Sequence, residues 1–241
     1  MKQLVIAAWG ILLAYAAIGQ TTNKPATAKP KPATVTHVVP KTGAKLVEIM
    51  TDYGNITIKL SDSTPLHRDN FVKLVKQGFY DSLLFHRIIQ GFMIQGGEPT
   101  SKTADSTAMV GSGEAPGGRI PAEFKPSLYH KKGALAMARD DNPEKASSNC
   151  QFYIVQGQQF DDIRLNQMEC NARASNPAFT YTDAQRKMYK TVGGTPMLDQ
   201  NYTVFGEVIK GLEVIDKIAA LPRNASDRPL KDVRMKMKML N

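Results

Sequence analysis

In the run FHRIIQGFMIQGG, residues 85–97, a guanidinium at Arg87 stands among large apolar residues and is followed within eight positions by Phe92, Met93 and Gln95. A planar fork of donors beside apolar side chains can hold a polar atom against a greasy surface. It cannot by itself cleave a bond. Nucleophilic catalysis needs a histidine near its nucleophile, and the chain has four: His37, His67, His86 and His130. His37 falls in a Pro/Thr-rich segment, His67 reads as the exposed side of a helix, His130 as part of a polar turn, and His86 as a packed, hydrogen-bonded neighbour of Arg87. Adjacent side chains on a strand point to opposite faces, which would separate His86 from Arg87. No His, Cys or carboxylate pair has metal-ligand spacing, and Asp140-Asp141 and Asp161-Asp162 are adjacent rather than facing. The chemistry therefore has to proceed without a nucleophile, metal or cofactor.

Rotation about an X-Pro peptide bond meets that restriction, because its barrier of ~18–20 kcal/mol comes from C–N resonance and no bond breaks. A donor aimed at the prolyl nitrogen localises its lone pair, an apolar pocket holds the ring, and further polar groups grip the turning carbonyl. An acceleration of ~10⁵ asks for about 7 kcal/mol of preference for the twisted state. One charged donor and two or three oriented hydrogen bonds in a water-poor site can supply it.

These residues need a scaffold, and the pattern from Leu46 onward provides one. LVEIMTDYGNITIKL reads as a hairpin about Asp52-Tyr53-Gly54-Asn55, with Val47 and Ile49 answering Ile56 and Ile58. STPLHRDNFVKLVKQG reads as a helix: Ser63 or Thr64 as cap, Pro65 in the first turn, an apolar stripe at Phe71, Leu74 and Val75, and Gly78 as stop. GALAMARDD, CQFYIVQG and YTVFGEVIKG are strands. LEVIDKIAAL is a second helix with Leu212, Ile215, Ile218 and Ala219 on one face. In VRMKMKML, Val233, Met235, Met237 and Met239 alternate with cations, which marks them as core on a half-wet strand. GSGEAPGGRIP lacks the Gly-Lys-Ser/Thr of a phosphate loop and reads as a turn-rich connection. About eight strands and two helices fit a mainly β sandwich or barrel, and the pattern alone leaves both open.

At this point the chain resembles the cyclophilins. The likeness runs in order from about Leu46 to Leu240 through NFVKLVKQGFYDSLLFHRII, FMIQGG, GRIPAEF, GALAMAR, QFYI and LDQNYTVFGEVIKGLEVIDKI. It implies a closed eight-stranded antiparallel β-barrel capped by two α-helices and peptidyl-prolyl cis-trans isomerase activity. Carried over by position, it implies Arg87 as the catalytic arginine and Gln95 as the group reaching the substrate carbonyl, with Gln151 beside it. Phe92, Met93, Tyr153 and Leu198 would line the proline pocket, and Ala138 and Arg139 would follow the peptide groove. Met197 stands where well-known eukaryotic members carry tryptophan, so cyclosporin-like ligands should bind poorly. Tyr202 replaces a pocket histidine and Tyr153 a phenylalanine, which leaves substrate preference open. The same likeness leaves an alternative of another class: a proline-peptide-binding module or chaperone with little turnover.

Residues 158–196 have no counterpart in a minimal cyclophilin, and both ends of this insertion should meet the pocket rim. TDAQRKMYKTVGG reads as a short helix with a capping box at Thr182 and Gln185, and FDDIRLNQMECNAR as a weaker helix. Such an insertion is either a surface elaboration or a wall that reshapes the groove. Cys150 and Cys170 are the only cysteines. They form either a disulfide pinning the insertion to the active strand or two separate thiols.

Charge and the N-terminus bound the remainder. The net charge is +9, but residues 1–47 hold six lysines and no acid. Removing those six leaves +3 on the remaining residues, a nearly balanced surface without the basic, aromatic-studded face of a nucleic-acid binder. Lys2 followed by the apolar run Leu4–Ile18 reads as an export signal over residues 1–19, ending in small residues before Gln20. Residues 20–45, rich in Pro, Thr, Lys and Ala, read as an unstructured linker, and residues 46–241 as the isomerase domain. The expected protein is exported, to a periplasm, and monomeric. Its partners are proline-containing segments of folding chains, with no cofactor and no stable membrane association once the signal is removed. An uncleaved N-terminal anchor is the alternative.

Overall fold

A computed structural model of the chain describes residues 43–106 and 108–241; the expected export signal and all but the end of the expected linker lie outside the described residues. Strand β1 (Leu46–Thr51) turns back into β2 (Gly54–Leu60), pairing Val47 with Ile58 and Ile49 with Ile56. All four side chains are fully buried, as the alternation requires. Helix α1 (Pro65–Lys76) follows, with Phe71, Val72, Leu74 and Val75 buried and Gly78 at φ 65° beyond its end. Thr64 is the N-cap residue, as expected, but its capping is done by another group. Thr64 makes no side-chain capping bond, and the distant Glu123 instead accepts from the backbone N–H of Leu66 (3.2 Å) and His67 (3.0 Å). The same carboxylate meets His67 Nδ1 at 2.7 Å, while Nε2 meets Ser147 Oγ at 3.0 Å. His67 is therefore wholly buried rather than on an exposed helix side. A carboxylate arriving from another loop made that burial affordable, and helix periodicity could not announce it.

Six more strands complete the sheet: β3 (Arg87–Ile89), β4 (Met93–Gly96), β5 (Ala134–Met137), β6 (Phe152–Val155), β7 (Val204–Lys210) and β8 (Lys236–Met239). Their order is β3-β4-β6-β5-β7-β2-β1-β8, and every ladder is antiparallel. The expected closure does not occur, because β3 and β8 do not pair and the sheet is open. The chain ahead of β3 bends at Ser82 (φ 69°) and meets the chain ahead of β8 through a single bridge, Leu84 with Arg234. Bonds such as Phe85 N–H to Val233 O (2.9 Å) and Met235 N–H to Leu83 O (2.9 Å) join these two approaches without making a ladder.

Both faces of the middle strands are covered, which is why β5 and β6 read as unbroken apolar runs. Phe152 and Ile154 point into the main core, where Phe71 packs edge-on against Phe152 (5.7 Å) and Phe205 (5.3 Å). Tyr153 and Val155 point outward into a second cluster with Met93, Ala134, Ala136 and Val204. Gly97, at φ 93°, lets the chain after β4 pass close to β6; a Cβ there would lie 2.2 Å from Cys150 O.

The described residues contain four α-helices, the two expected in the body of the domain and the two expected in the insertion. Helix α2 (Asp162–Arg173) and α3 (Asp183–Thr191) form the insertion, and α4 (Leu212–Ala219) follows β7. The Thr182–Gln185 capping box is present. On α4 the buried face is Val214, Ile215, Ile218 and Ala219, whereas Leu212 at the first position is exposed. The insertion has its own small core of Phe160, Leu165, Ala172, Phe179, Tyr181 and Tyr189. Cys150 and Cys170 are free thiols, which rules out the disulfide alternative in this structure. Cys150 is buried, its sulfur accepting from Ala115 N–H (3.2 Å), while Cys170 faces solvent on α2.

Candidate active site

The register of the sheet assembles the site. Arg87 on β3 stands opposite Gln95 on β4, Gln95 opposite Tyr153 on β6, and Tyr153 opposite Ala136 on β5. Four strands thus present one row on the outer face, and neighbouring strands are about 5 Å apart, so Arg87 and Tyr153 flank a gap of about 10 Å. Arg87 Nη1 lies 3.4 Å from Gln95 Oε1, and Gln95 Nε2 lies 3.3 Å from Gln151 Oε1. Gln151 is itself held by donating to the carbonyls of Gly111 (3.0 Å) and Gly113 (2.9 Å). The fork is therefore steadied by a chain of amides and still half exposed toward the groove.

Between these groups lies a cavity of about 440 Å³ lined by Arg87, Phe92, Met93, Gln95, Ala138, Arg139, Tyr153, Leu198 and Tyr202. Every residue expected at the site is here except Gln151, which braces it from behind, and Met197. Met197 is 39% exposed in the short 3-10 turn Pro196–Leu198 and does not line the cavity. Arg139 extends over the Tyr202 ring (4.8 Å) and donates from Nε to Asn201 O (3.0 Å), fastening the far rim.

Several groups at this site have no signal in the sequence. Asp227 carries a carboxylate 3.5 Å from Arg87 Nε and 3.2 Å from Arg223 Nε, and its carbonyl accepts from Ile88 N–H (2.9 Å). It lies 140 positions from Arg87, so spacing could not connect them. Met109, Val110, Gly111 and Ser112 close another side of the cavity from a loop without periodicity. His86 also lines it, contrary to the opposite-face expectation, because β3 starts only at Arg87. His86 is buried, its Nδ1 has no partner, and burial pulls its pKa down to about 4. The expected hydrogen-bonded histidine is thus packed but unpaired at that nitrogen.

His130 departs furthest from its surface reading. It is buried, with Nδ1 2.7 Å from Asp199 Oδ1 and Nε2 2.9 Å from the Tyr153 hydroxyl. Burial drives the Tyr153 phenol well above its ordinary pKa, so it stays protonated. Among the described residues no group of three His, Cys, Asp or Glu is arranged to hold a metal ion, and no helix is long and apolar enough to cross a membrane. What the cavity offers chemically is the guanidinium groups of Arg87 and Arg139, the amide of Gln95 and a wall of aromatic and apolar side chains.

Fold and cavity together give a curled antiparallel sheet whose outer face carries a pocket with apolar walls and guanidinium and amide donors beside it. Residues 46–239 match the profile of the family described as cyclophilin type peptidyl-prolyl cis-trans isomerase/CLD. A putative peptidyl-prolyl cis-trans isomerase of Staphylococcus haemolyticus is 36% identical over 188 residues, covering 78% of this chain and 86% of that one. A putative bifunctional phosphatase/peptidyl-prolyl cis-trans isomerase of Streptococcus pyogenes is 37% identical over 195 residues, covering 80% of this chain and 37% of the relative. Among solved structures, a cyclophilin type isomerase of Cryptosporidium parvum superposes with a TM-score of 0.60 at 24% identity, covering 82% of this chain and 98% of that one. The same enzyme solved in the presence of the dipeptide Ala-Pro gives 0.58 at 25% identity, over 81% and 99%. The chain belongs to the cyclophilin-type peptidyl-prolyl cis-trans isomerase family.

Proposed function

We propose that this chain accelerates rotation about X-Pro bonds in exported proteins as they fold, with Arg87 as the catalytic group. The observation that carries this reading is the single row Arg87–Gln95–Tyr153 beside a cavity walled by Phe92, Met93 and Leu198. The ring of proline sits on Phe92, Met93, Tyr153 and Leu198, and the residue before it runs along Ala138 and Arg139. Arg87 donates to the prolyl nitrogen as the bond twists, and Gln95, steadied by Gln151, meets the carbonyl. Met197, outside the cavity, contributes to the rim rather than to ring contact. The Cryptosporidium parvum relative crystallised in the presence of Ala-Pro supports a proline-containing peptide as partner. The apolar run before residue 19 and the Pro/Lys-rich stretch to residue 45 support export of a domain carried on a linker, which in this reading works in a periplasm.

The test is a protease-coupled assay of an X-Pro tetrapeptide with the full chain, joined to N-terminal sequencing of the protein recovered from cells. The expected result is conversion far faster than the thermal exchange of tens of seconds, and a mature chain beginning near Gln20. Peptide binding without acceleration would replace the enzyme with a binding module. An intact Met1 terminus in membranes would replace the exported form with an anchored one.

A further inference from the structure

The insertion reaches the proline pocket through a buried chain of side chains. Asp199 follows the pocket residue Leu198 directly and is almost fully buried. Its Oδ1 accepts from the His130 backbone N–H (2.9 Å) and faces His130 Nδ1 (2.7 Å). Its Oδ2 accepts from the hydroxyls of Tyr181 (2.8 Å) and Tyr189 (2.6 Å), both from the core of the insertion. A buried carboxylate is tolerated only when its lone pairs are taken up, and here the insertion supplies two of the four donors. On the other side of the ring, His130 Nε2 lies 2.9 Å from the Tyr153 hydroxyl. That contact ties the hydroxyl to His130 while Tyr153 lines the cavity. The His130 and Tyr153 rings lie nearly parallel, 12° apart.

A second contact bears on the same rim. Gln200 holds a left-handed backbone (φ 61°) unusual for a residue with a side chain, and Asn176 of the insertion donates to its Oε1 at 3.2 Å. Asn201, whose carbonyl anchors Arg139, has its own side chain held by Ser175 (3.0 Å) and Lys145 (2.6 Å). The turn that carries Leu198 and Tyr202 is thus fastened from both sides by residues 175–189.

We propose that residues 158–196 are a positioning device for the proline pocket, in which Tyr181 and Tyr189 fix Asp199, Asp199 fixes His130, and His130 fixes the Tyr153 ring. The inference rests on reading the cavity as the seat of proline. Tyr181, Tyr189, Asp199 and His130 touch no substrate and act only through Tyr153 and the rim turn.

A double-mutant cycle separates this role from a general loss of stability. Tyr181→Phe with Tyr189→Phe keeps both rings and removes both donors. The expected loss in kcat/KM on an Ala-Pro tetrapeptide is about fivefold in the wild-type background and under twofold where Tyr153→Phe has already cut the chain. An equal loss in both backgrounds, or none in the first, overturns the proposal. Should the paired variant fail to fold, Tyr189→Phe alone runs the same cycle with Tyr181 retained, under the same criteria. If the wild type binds the peptide without turning it over, the isomerase reading fails, and the cycle is read instead as peptide Kd values. Acceleration by the wild type with an additive cycle removes the positioning role alone, and a wild type that neither binds nor accelerates removes both.

Discussion

Arg87 is held by unequal partners: an amide at 3.4 Å on the neighbouring strand and a carboxylate at 3.5 Å from the far end of the chain. Because the guanidinium is half exposed, its ion pair with Asp227 is screened and contributes little to stability. Its value is directional, keeping the fork from swinging into solvent. Asp227 also occupies a left-handed backbone position (φ 62°), which asparagine tolerates nearly as well as aspartate. Asp227→Asn therefore preserves the turn and removes only the charge. We expect kcat to fall about threefold with KM within twofold, measured on a tetrapeptide across a range of ionic strength. A loss of a hundredfold would mean that the carboxylate takes part in the chemistry.

At the scale of elements, two buried imidazoles join loops to strands and helix. His67 at the start of α1 and His86 just ahead of β3 both have pKa values lowered chiefly by burial, His86 to about 4. For His86 the unfolded chain takes up a proton near pH 6.5 that the folded protein refuses until about pH 4, so stability is lost as pH falls through that window, and His67 adds to the loss in the same direction. His86 alone accounts for roughly 2 kcal/mol between pH 7 and pH 5, or about 4–8 °C in Tm. Calorimetry at the two pH values checks this, and His86→Asn should flatten the slope. An unchanged Tm in the wild type would show that the ring is accessible to protons. The elements themselves were legible where the cues are local. Pro65 and Gly78 bracket α1, the Thr182–Gln185 box opens α3, and Val47 and Ile49 face Ile58 and Ile56 as their alternation demands. His67 and His130 were misread because their partners come from elsewhere: Glu123 and Ser147 for one, Asp199 and Tyr153 for the other. Helical periodicity sees a face, and it cannot see a carboxylate brought to that face by another loop.

Across the whole molecule, the sheet remains open where a closed barrel was expected, since closure depends on how β3 and β8 approach, and neither strand's sequence encodes that meeting. The row Arg87–Gln95–Tyr153 was reachable through family resemblance, while Asp227 and the 109–112 wall became visible only in three dimensions. The insertion shows the same division: its helices were readable, but its hold on Asp199 required the fold. The molecule is thus a curled sheet whose inner face supplies stability and whose outer face supplies the groove. The most direct test compares Arg87→Ala with the wild type by NMR exchange on an Ala-Pro peptide, reading the cis-trans rate and the dissociation constant from one sample. We expect the catalysed rate to fall by about 10²–10³ while Kd stays within a few fold, as follows if the guanidinium acts on the twisted bond and the rings hold the planar one. An undiminished rate, or a loss explained entirely by weaker binding, would contradict catalysis by Arg87.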